Sequence, residues 1–351
     1  MRNYDFKKRY AELLLPDIVA AVAKIHEYRG EQRGFAGYKG EVLSQLSEIA
    51  RIQSAEASNR MEGIYVSDER LKKIVKDKTM PKTKNEKEIA GYRDVLNTIH
   101  DNYNYIPVKS SIFLQLYREL FKFSGHVGEG YKASDKVSAH RAEAENESMR
   151  FSSVSIREIA ENIEALCDAF GEIQNDPDYD LLLVIPMFTL DFLCIHPFDK
   201  GNGRMSRLLT LLLLYRSDYT VGMYISIEKL IEQTKTAYYR AIQDSSEGWR
   251  EEKNDYLPFV RYMLKIIAGA YQQFSLSVQL LAASGMSKPE RIREVIKENS
   301  GKITRAEIMK KCPNVSQVTV ERTLTDLVKK REILKLGGGR YTAYTWNRER
   351  K

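Results

Sequence analysis

The stretch HPFDKGNGRMSR, from His196 to Arg207, carries most of the information about the fold of this 351-residue chain. Gly201 and Gly203 flank Asn202, and glycines let a backbone turn sharply and bring its N–H groups close to a ligand. We expect a helix to begin near Arg204. A helix N-terminus presents unpaired N–H groups and the positive end of the helix dipole. The sequence therefore predicts an anion-binding site at this loop.

Titratable side chains flank the loop. Arg204 and Arg207 are three residues apart, on one face of the first helical turn, and two guanidinium groups there can hold a polyphosphate. His196 precedes the loop, and a neutral imidazole can accept a proton from an attacking hydroxyl near neutral pH. Together these residues predict attack by a hydroxyl on a phosphoryl group, with the arginines stabilising charge on the leaving phosphates.

Apolar residues recur at helical spacing through most of the chain. We therefore predict a mainly α fold: a helical bundle with a small β-hairpin flap, followed by a C-terminal winged helix-turn-helix domain. The helix over 204–215 is apolar on nearly all sides, so it is expected at the centre of the bundle. Ser155 and Glu158 are expected to cap another helix. The other predicted bundle helices cover 43–61, 86–103, 110–123, 155–170, 178–195, 227–244 and 256–276.

The pattern changes near residue 287. Helices are predicted at 289–298, 304–311 and 316–330, followed by strand-like segments around three glycines. Three helices and a two-stranded ribbon in this order are typical of a winged helix-turn-helix. Residues 316–340 have side chains suited to duplex DNA, although such domains also bind proteins or form dimers. The expected contact residues are Ser316, Gln317, Thr319, Arg322, Thr323, Lys329, Lys330, Arg331, Lys335 and Arg340.

Composition sets limits on the partners. A net charge of +7 permits acidic partners such as nucleotides or nucleic acid. No apolar run approaches the ~20 residues that span a bilayer, and the first residues lack the apolar region of a signal peptide, so no membrane partner is expected. Cys167, Cys194 and Cys312 form neither a metal-spaced pair nor a disulfide framework. These features predict a cytoplasmic protein.

The motif is similar to the signature of Fic proteins, His-x-Phe-x-Asp/Glu-Gly-Asn-Gly-Arg-x-x-Arg. With the proline that usually follows the histidine, the matching positions are His196, Pro197, Phe198, Gly201, Asn202, Gly203, Arg204 and Arg207. The resemblance extends over roughly 39–278 and implies a Fic-type helical bundle. It suggests three parts: a helical region with an inhibitory helix at 1–95, a catalytic core at 96–280 and the winged helix-turn-helix at 287–351.

Fic enzymes commonly transfer AMP from ATP to a Ser, Thr or Tyr hydroxyl of a target protein. The resemblance implies that His196 is the base, that Asn202 and the loop amides hold the α-phosphate, and that Arg204 and Arg207 hold the β- and γ-phosphates. It implies ATP as a substrate, a target protein or the chain itself as acceptor, and pairing into homodimers. The alternative is a Fic scaffold that binds nucleotide with weak or no transfer and acts as a DNA-binding regulator.

Lys200 departs from the signature, because related proteins carry there the acid that binds Mg²⁺. A cation cannot ligate a cation and repels one nearby. The neighbouring Asp199 is offset by one residue, so we predict no metal ligand in the motif. Three interpretations stay open: Lys200 contacts the phosphates in place of a metal, Mg²⁺ binds through the phosphates alone, or the chemistry differs.

The stretch SNRMEG, residues 58–63, is similar to the inhibitory motif of Fic proteins, Ser/Thr-x-x-x-Glu-Gly/Asn. It lies at the end of a predicted helix. The resemblance assigns Ser58, Glu62 and Gly63 to an inhibitory segment, in which Glu62 pairs with Arg207 and keeps it from the γ-phosphate. A flap that would hold the target backbone by strand addition is expected within 137–151.

Overall fold

Two helices, α8 (Leu181–Ile195) and α9 (Asn202–Arg216), form the centre of the larger part of the molecule. Every residue of α8 except Leu181 is buried, and so is every residue of α9 except Gly203 and Arg216. Asp180 caps α8 by accepting a hydrogen bond from the N–H of Leu182 at 2.9 Å. The predicted central position of α9 is thus confirmed.

A computed structural model describes residues 2–35, 40–125, 130–132, 154–284, 287–299, 301–312, 315–339 and 342–347. The flap expected within 137–151, and Arg340, lie outside the described residues. The chain divides into two compact units, Met1–Ser275 and Leu276–Lys351. The division into 1–95, 96–280 and 287–351 stays a prediction.

Further helices surround the central pair, and the chain is mainly helical, as predicted. Helices α1, α2 and α4 were not predicted from the sequence. In α2 the described buried side chains are only Ile18, Ile25 and Gln32, so its sequence shows little apolar periodicity. The remaining bounds are α1 Phe6–Tyr10, α2 Pro16–Phe35, α3 Gly40–Arg60, α4 Asp68–Val75, α5 Lys84–Asn102, α6 Ser110–Phe121, α7 Ile159–Ile173, α10 Ile227–Gln233, α11 Lys235–Ser246 and α12 Leu257–Ser284.

Two expectations about helix boundaries were wrong. The single helix predicted over 227–244 is divided into α10 and α11 at Thr234, whose hydroxyl donates to the carbonyl of Leu230 at 2.8 Å. Such local bonds compete with the regular helical pattern. Ser155 makes no side-chain capping bond, because residues Ile156–Glu158 form a 3₁₀ turn before α7 begins.

Among its described residues from 287 onward, the second unit contains three helices and an antiparallel sheet of three strands in the order β1-β3-β2. Strand β1 was not predicted, because two residues are too few to show alternation. Thr304 and Glu307 form the expected capping box, and Ser316 caps the third helix as predicted. The bounds are α13 Lys288–Glu298, β1 Ile303–Thr304, α14 Arg305–Lys311, α15 Gln317–Lys329, β2 Ile333–Leu336 and β3 Ala343–Trp346.

The core of the second unit is aliphatic. Its buried side chains include Ile292, Ile296, Ile308, Val320 and Leu324. Residues of β2 and β3 pair from Ile333 with Trp346 to Leu336 with Ala343. The assignment of this unit as a winged helix-turn-helix stays a prediction. Among the described residues of the whole chain, no helix combines the length and apolar character needed to cross a membrane.

Candidate active site

His196 lies at the point where α8 ends. Its backbone is left-handed, with φ 52° and ψ 61°, and its N–H still donates to the carbonyl of Phe192 at 3.1 Å. A positive φ is uncommon for a residue with a side chain, and such strain persists only where the surroundings enforce it. The left-handed turn directs the chain into the loop that joins α8 to α9.

A clamp between Phe198 and Asn202 holds that loop. The amide of Asn202 accepts from the N–H of Phe198 at 3.0 Å and donates to its carbonyl at 2.7 Å. The ring of Phe198 is fully buried and stacks on Tyr117, with centroids 3.7 Å apart. The loop also accepts from the N–H of Lys132 through the carbonyl of Pro197, at 2.9 Å. Both polar ends of Asn202 are thus engaged with the loop, and its predicted contact with phosphate stays a prediction.

The two positions 201 and 203 in the loop require glycine for different structural reasons. Gly201 caps α9 with φ 78°, and a Cβ there would lie 2.9 Å from the ring of Phe121. A Cβ on Gly203 would collide with the carboxylate of Glu62 and would lie 3.2 Å from Arg207 Nη1. Glycine at 203 therefore leaves room for the Glu62 carboxylate beside the first turn of α9, where the helix dipole favours an anion.

Arg207 is held by the last turn of α3 and the residues after it. Its Nη2 donates to Glu62 Oε1 at 2.8 Å and to the carbonyl of Ser58 at 2.9 Å, and its Nε donates to Ser58 Oγ at 2.8 Å. Burial is the largest single effect and lowers the pKa of Arg207, but the Glu62 carboxylate together with the neighbouring tyrosines raises the pKa overall. The guanidinium is therefore charged, and the structure brings Ser58, Glu62 and Arg207 together.

Gly63 ends the segment that carries Glu62. Its φ is 74°, its N–H donates to the carbonyl of Arg60 at 3.0 Å, and the N–H of Ile64 donates to that of Asn59 at 3.0 Å. A left-handed glycine of this kind commonly terminates a helix. Gly63 thus fixes the course of the chain directly after Glu62.

Arg204 is buried between two residues that sequence reasoning missed. Its Nη2 donates to Glu88 Oε2 at 2.6 Å, and its Nη1 donates to Asn59 Oδ1 at 3.2 Å. Asn59 lies in the stretch SNRMEG, three residues before Glu62, and residues at this spacing share one face of a helix. This spacing could have indicated that Asn59 also contacts the site. Glu88 shares a helical face of α5 with the buried Gly91 and Val95. A charged residue on an apolar face is the signal that could have identified it.

Lys200 also faces Glu88. Its Nζ lies 3.9 Å from Glu88 Oε1 and 4.6 Å from the centroid of the Phe121 ring. Partial burial lowers the pKa of Lys200, although Glu88 opposes this effect. The described residues contain no group of three or more His, Cys, Asp or Glu side chains placed to hold a metal ion. Since Glu88 is already paired with Arg204, the donor set around Lys200 does not fit Mg²⁺.

The predicted DNA-contact residues belong to the second unit. Ser316, Gln317 and Arg322 are exposed, and Thr319 is partly buried. Thr323 was named as a contact residue on the expectation that it is exposed, and that expectation was wrong: it is 5% exposed, and its hydroxyl donates to the carbonyl of Thr319 at 2.7 Å. Its position on the inner face of α15 is the reason. The expected contact residues Lys329, Lys330, Arg331 and Lys335 are exposed as well.

The first unit is thus a helical domain whose central helix begins at a glycine loop preceded by a histidine. Residues 107–214 match the sequence profile of the Fic/DOC family. The chain therefore contains a Fic/DOC family domain.

Comparison with individual proteins agrees with this family. The chain is 39% identical over 95 residues to proteins described as "Protein adenylyltransferase Fic" from Aedes aegypti and Culex quinquefasciatus. The match covers 27% of this chain and 16% of each relative, so it spans about a sixth of their length.

Solved structures show the same fold. A Fic family protein from Desulfovibrio desulfuricans G20 has a TM-score of 0.59 and 18% identity, over 96% of this chain and 98% of that one. A Fic domain containing signaling protein from Bacteroides thetaiotaomicron has a TM-score of 0.59 and 20% identity, over 77% of this chain and 99% of that one.

Proposed function

We propose that the chain is a protein nucleotidyltransferase that moves AMP from ATP to a Ser, Thr or Tyr hydroxyl of a target protein or of the chain itself. The observation that carries this proposal is the arrangement at the start of α9. There, His196 precedes a clamped glycine loop, and Arg204 and Arg207 follow it on the first turns of the helix. The similarity to the two mosquito adenylyltransferases supports the choice of AMP as the transferred group.

The proposed reaction is a displacement at the α-phosphorus of ATP. The target hydroxyl oxygen attacks that phosphorus and gives its proton to His196. A bond forms between the hydroxyl oxygen and the α-phosphorus, while the bond from that phosphorus to the bridging oxygen of the β-phosphate breaks. Pyrophosphate leaves, and Arg204 and Arg207 stabilise its negative charge.

We further propose that Glu62 inhibits this reaction. Arg207 donates to Glu62 and Ser58 through the same guanidinium that would hold the γ-phosphate. The Glu62 carboxylate also lies beside Gly203, at the helix N-terminus that would receive a phosphate. An anionic side chain in this position competes with an anionic ligand for the same donors.

Incubation with α-labelled ATP tests the transfer. The full chain, His196→Ala and Glu62→Gly are compared with and without Mg²⁺ or Mn²⁺, and protein-bound label is counted. Label in the Glu62→Gly chain that is lost in the Glu62→Gly/His196→Ala double variant supports the proposal. Label that persists without His196 contradicts its role as base, and absence of label in every variant contradicts transfer to the chain itself, leaving a lysate acceptor screen to decide on other targets.

A second candidate function is nucleotide binding coupled to DNA binding, without efficient transfer. One observation favours DNA as a partner: residues 276–351 carry 17 Lys and Arg against 8 Asp and Glu, a net charge of +9, whereas the first 275 residues carry −2. Such asymmetry is typical of segments that bind nucleic acid.

A gel shift with duplex DNA distinguishes this candidate. Phosphate contacts release counterions, so affinity for duplex DNA should fall steeply as salt rises. We expect Arg322→Ala and Lys335→Ala to weaken the shift, and the exposed Lys72→Ala in α4 to leave it unchanged. No shift at low salt would reject DNA as the partner.

A further inference from the structure

Lys200 has surroundings that hold an ammonium group in place. Its Nζ lies 4.6 Å from the Phe121 ring centroid and 3.9 Å from Glu88 Oε1. A cation over an aromatic face is attracted by the ring quadrupole. The side chain is 42% exposed, so the ammonium is positioned without being sealed from a ligand at the adjacent loop.

Glu88 is engaged by cations on both of its oxygens. Oε2 accepts from Arg204 Nη2 at 2.6 Å, and Oε1 faces Lys200. The Glu88 side chain is 7% exposed, so little room is left around its two oxygens for a further ligand. A divalent cation at Glu88 would have to displace one partner and approach the other, which both Coulomb repulsion and the oxygen-rich coordination of Mg²⁺ disfavour.

The side chain at position 200 changes the charge beside the loop. A carboxylate there would contribute one negative charge, whereas Lys200 contributes one positive charge. The exchange adds two positive charges beside the loop, which is the charge that one Mg²⁺ would bring. The buried Arg204 lies next to Lys200, with its guanidinium 5.0 Å from the centroid of the same Phe121 ring, so both cations pack on one aromatic side chain.

We propose that Lys200 binds the phosphates of a nucleoside triphosphate directly, so that this site takes the nucleotide without a divalent cation. The choice of ligand rests on the proposed function. Lys200 therefore stands at the position of the metal-binding acid of related proteins and supplies the positive charge that the acid and its metal supply together.

Equilibrium binding of a non-hydrolysable ATP analogue tests this proposal. The full chain is titrated calorimetrically in EDTA and in Mg²⁺, both as wild type and with Glu62→Gly to remove the competing carboxylate. We expect dissociation constants within about threefold of each other in the two buffers.

Substitutions of Lys200 provide the matched controls. Lys200→Arg retains binding in EDTA, and Lys200→Met weakens it by at least about tenfold. Lys200→Glu restores a dependence on metal, so Mg²⁺ tightens its binding by at least about tenfold. Lys72→Glu makes the same charge change on the exposed surface of α4 and leaves the ratio between the buffers unchanged.

The proposal would be overturned if the wild type and Glu62→Gly both required Mg²⁺ and showed no measurable binding in EDTA. It would also be overturned if Lys200→Met bound the analogue in EDTA as tightly as the chain with Lys200. The titration does not depend on transfer of label. Loss of transfer in every variant therefore counts only against the proposed reaction. The dissociation constants test whether Lys200 binds the phosphates without a metal.

Discussion

Arg207 and Glu62 form an ion pair at 2.8 Å, in which a fully buried guanidinium meets a carboxylate that is 29% exposed. Ser58 supplies two more acceptors to the same arginine. The pair joins the end of α3 to the first turns of α9. Under the proposed function, the Glu62 carboxylate occupies an N–H donor of Arg207 that a phosphate would use, which makes Glu62 the residue to change first.

Glu62→Gly should raise incorporation of label from α-labelled ATP by at least about fivefold, which corresponds to about 1 kcal/mol of competing ion-pair free energy. Glu62→Gln should give a smaller increase, because the amide keeps an acceptor but loses the charge. Glu56 pairs with Arg60 on the same helix, so Glu56→Gln serves as the control without an expected effect. Equal labelling of wild type and Glu62→Gly, at a level above background, would show that Glu62 does not inhibit.

Asn202→Ala should destabilise the first unit by about 1–3 kcal/mol. The substitution removes both hydrogen bonds to Phe198 and leaves its buried N–H and carbonyl without these partners. Urea denaturation measures the change. Asn85→Ala removes an exposed hydrogen bond to Tyr65 and should cost less than about 0.5 kcal/mol. If the two substitutions cost the same, the clamp does not stabilise the loop.

Gly91→Ala should lower the free energy of unfolding by at least about 1–3 kcal/mol, because it disturbs the packing of α5 on α6. A Cβ on Gly91 would collide with the backbone carbonyl of Leu120, which cannot move without shifting α6. Gly269→Ala in α12 is the matched control, because nothing lies within 4 Å of its Cβ position. That helical substitution should stabilise by about 0.5–1 kcal/mol. Thermal unfolding of the two variants should therefore shift in opposite directions.

The buried Asp191 should make the free energy of unfolding depend on pH. It is fully buried beside Arg2, accepts from Trp249 Nε1 at 2.6 Å and from the Tyr256 hydroxyl at 2.9 Å, and burial raises its pKa to about 6. The folded state thus holds this proton more tightly than the unfolded state does. The resulting stability is complete below about pH 4 and is lost as the pH rises through about 6.

The measurement is a comparison of wild type with Asp191→Asn in urea at several pH values. The wild type should lose stability relative to the variant between pH 4 and 6, and the difference should level off above that range. The exposed Asp77→Asn is the control and should show no such trend. A difference between wild type and Asp191→Asn that is constant from pH 4 to 7 would contradict the raised pKa.

The sequence by itself determined the features that depend on local pattern. The glycine loop before α9, the central position of that apolar helix and the caps at Thr304 and Ser316 follow from backbone freedom, apolar periodicity and capping chemistry. Each of these signals lies within a single helix or a single loop. The break at Thr234 escaped prediction, because a threonine inside an amphipathic pattern does not show which hydrogen bond its hydroxyl will choose.

Apart from the pair of Glu62 and Arg207, which the resemblance implied, only the tertiary structure decided which buried charges meet. Glu88 is separated by 116 residues from Arg204, and Asn59 by 145, yet both hold its guanidinium. Arg2, close to the beginning of the chain, lies 3.8 Å from Asp191 in the centre of the first unit. A buried ion pair forms where packing brings two charges together and excludes water from them. The sequence shows which residues are charged, but the packing of the helices determines which of them pair.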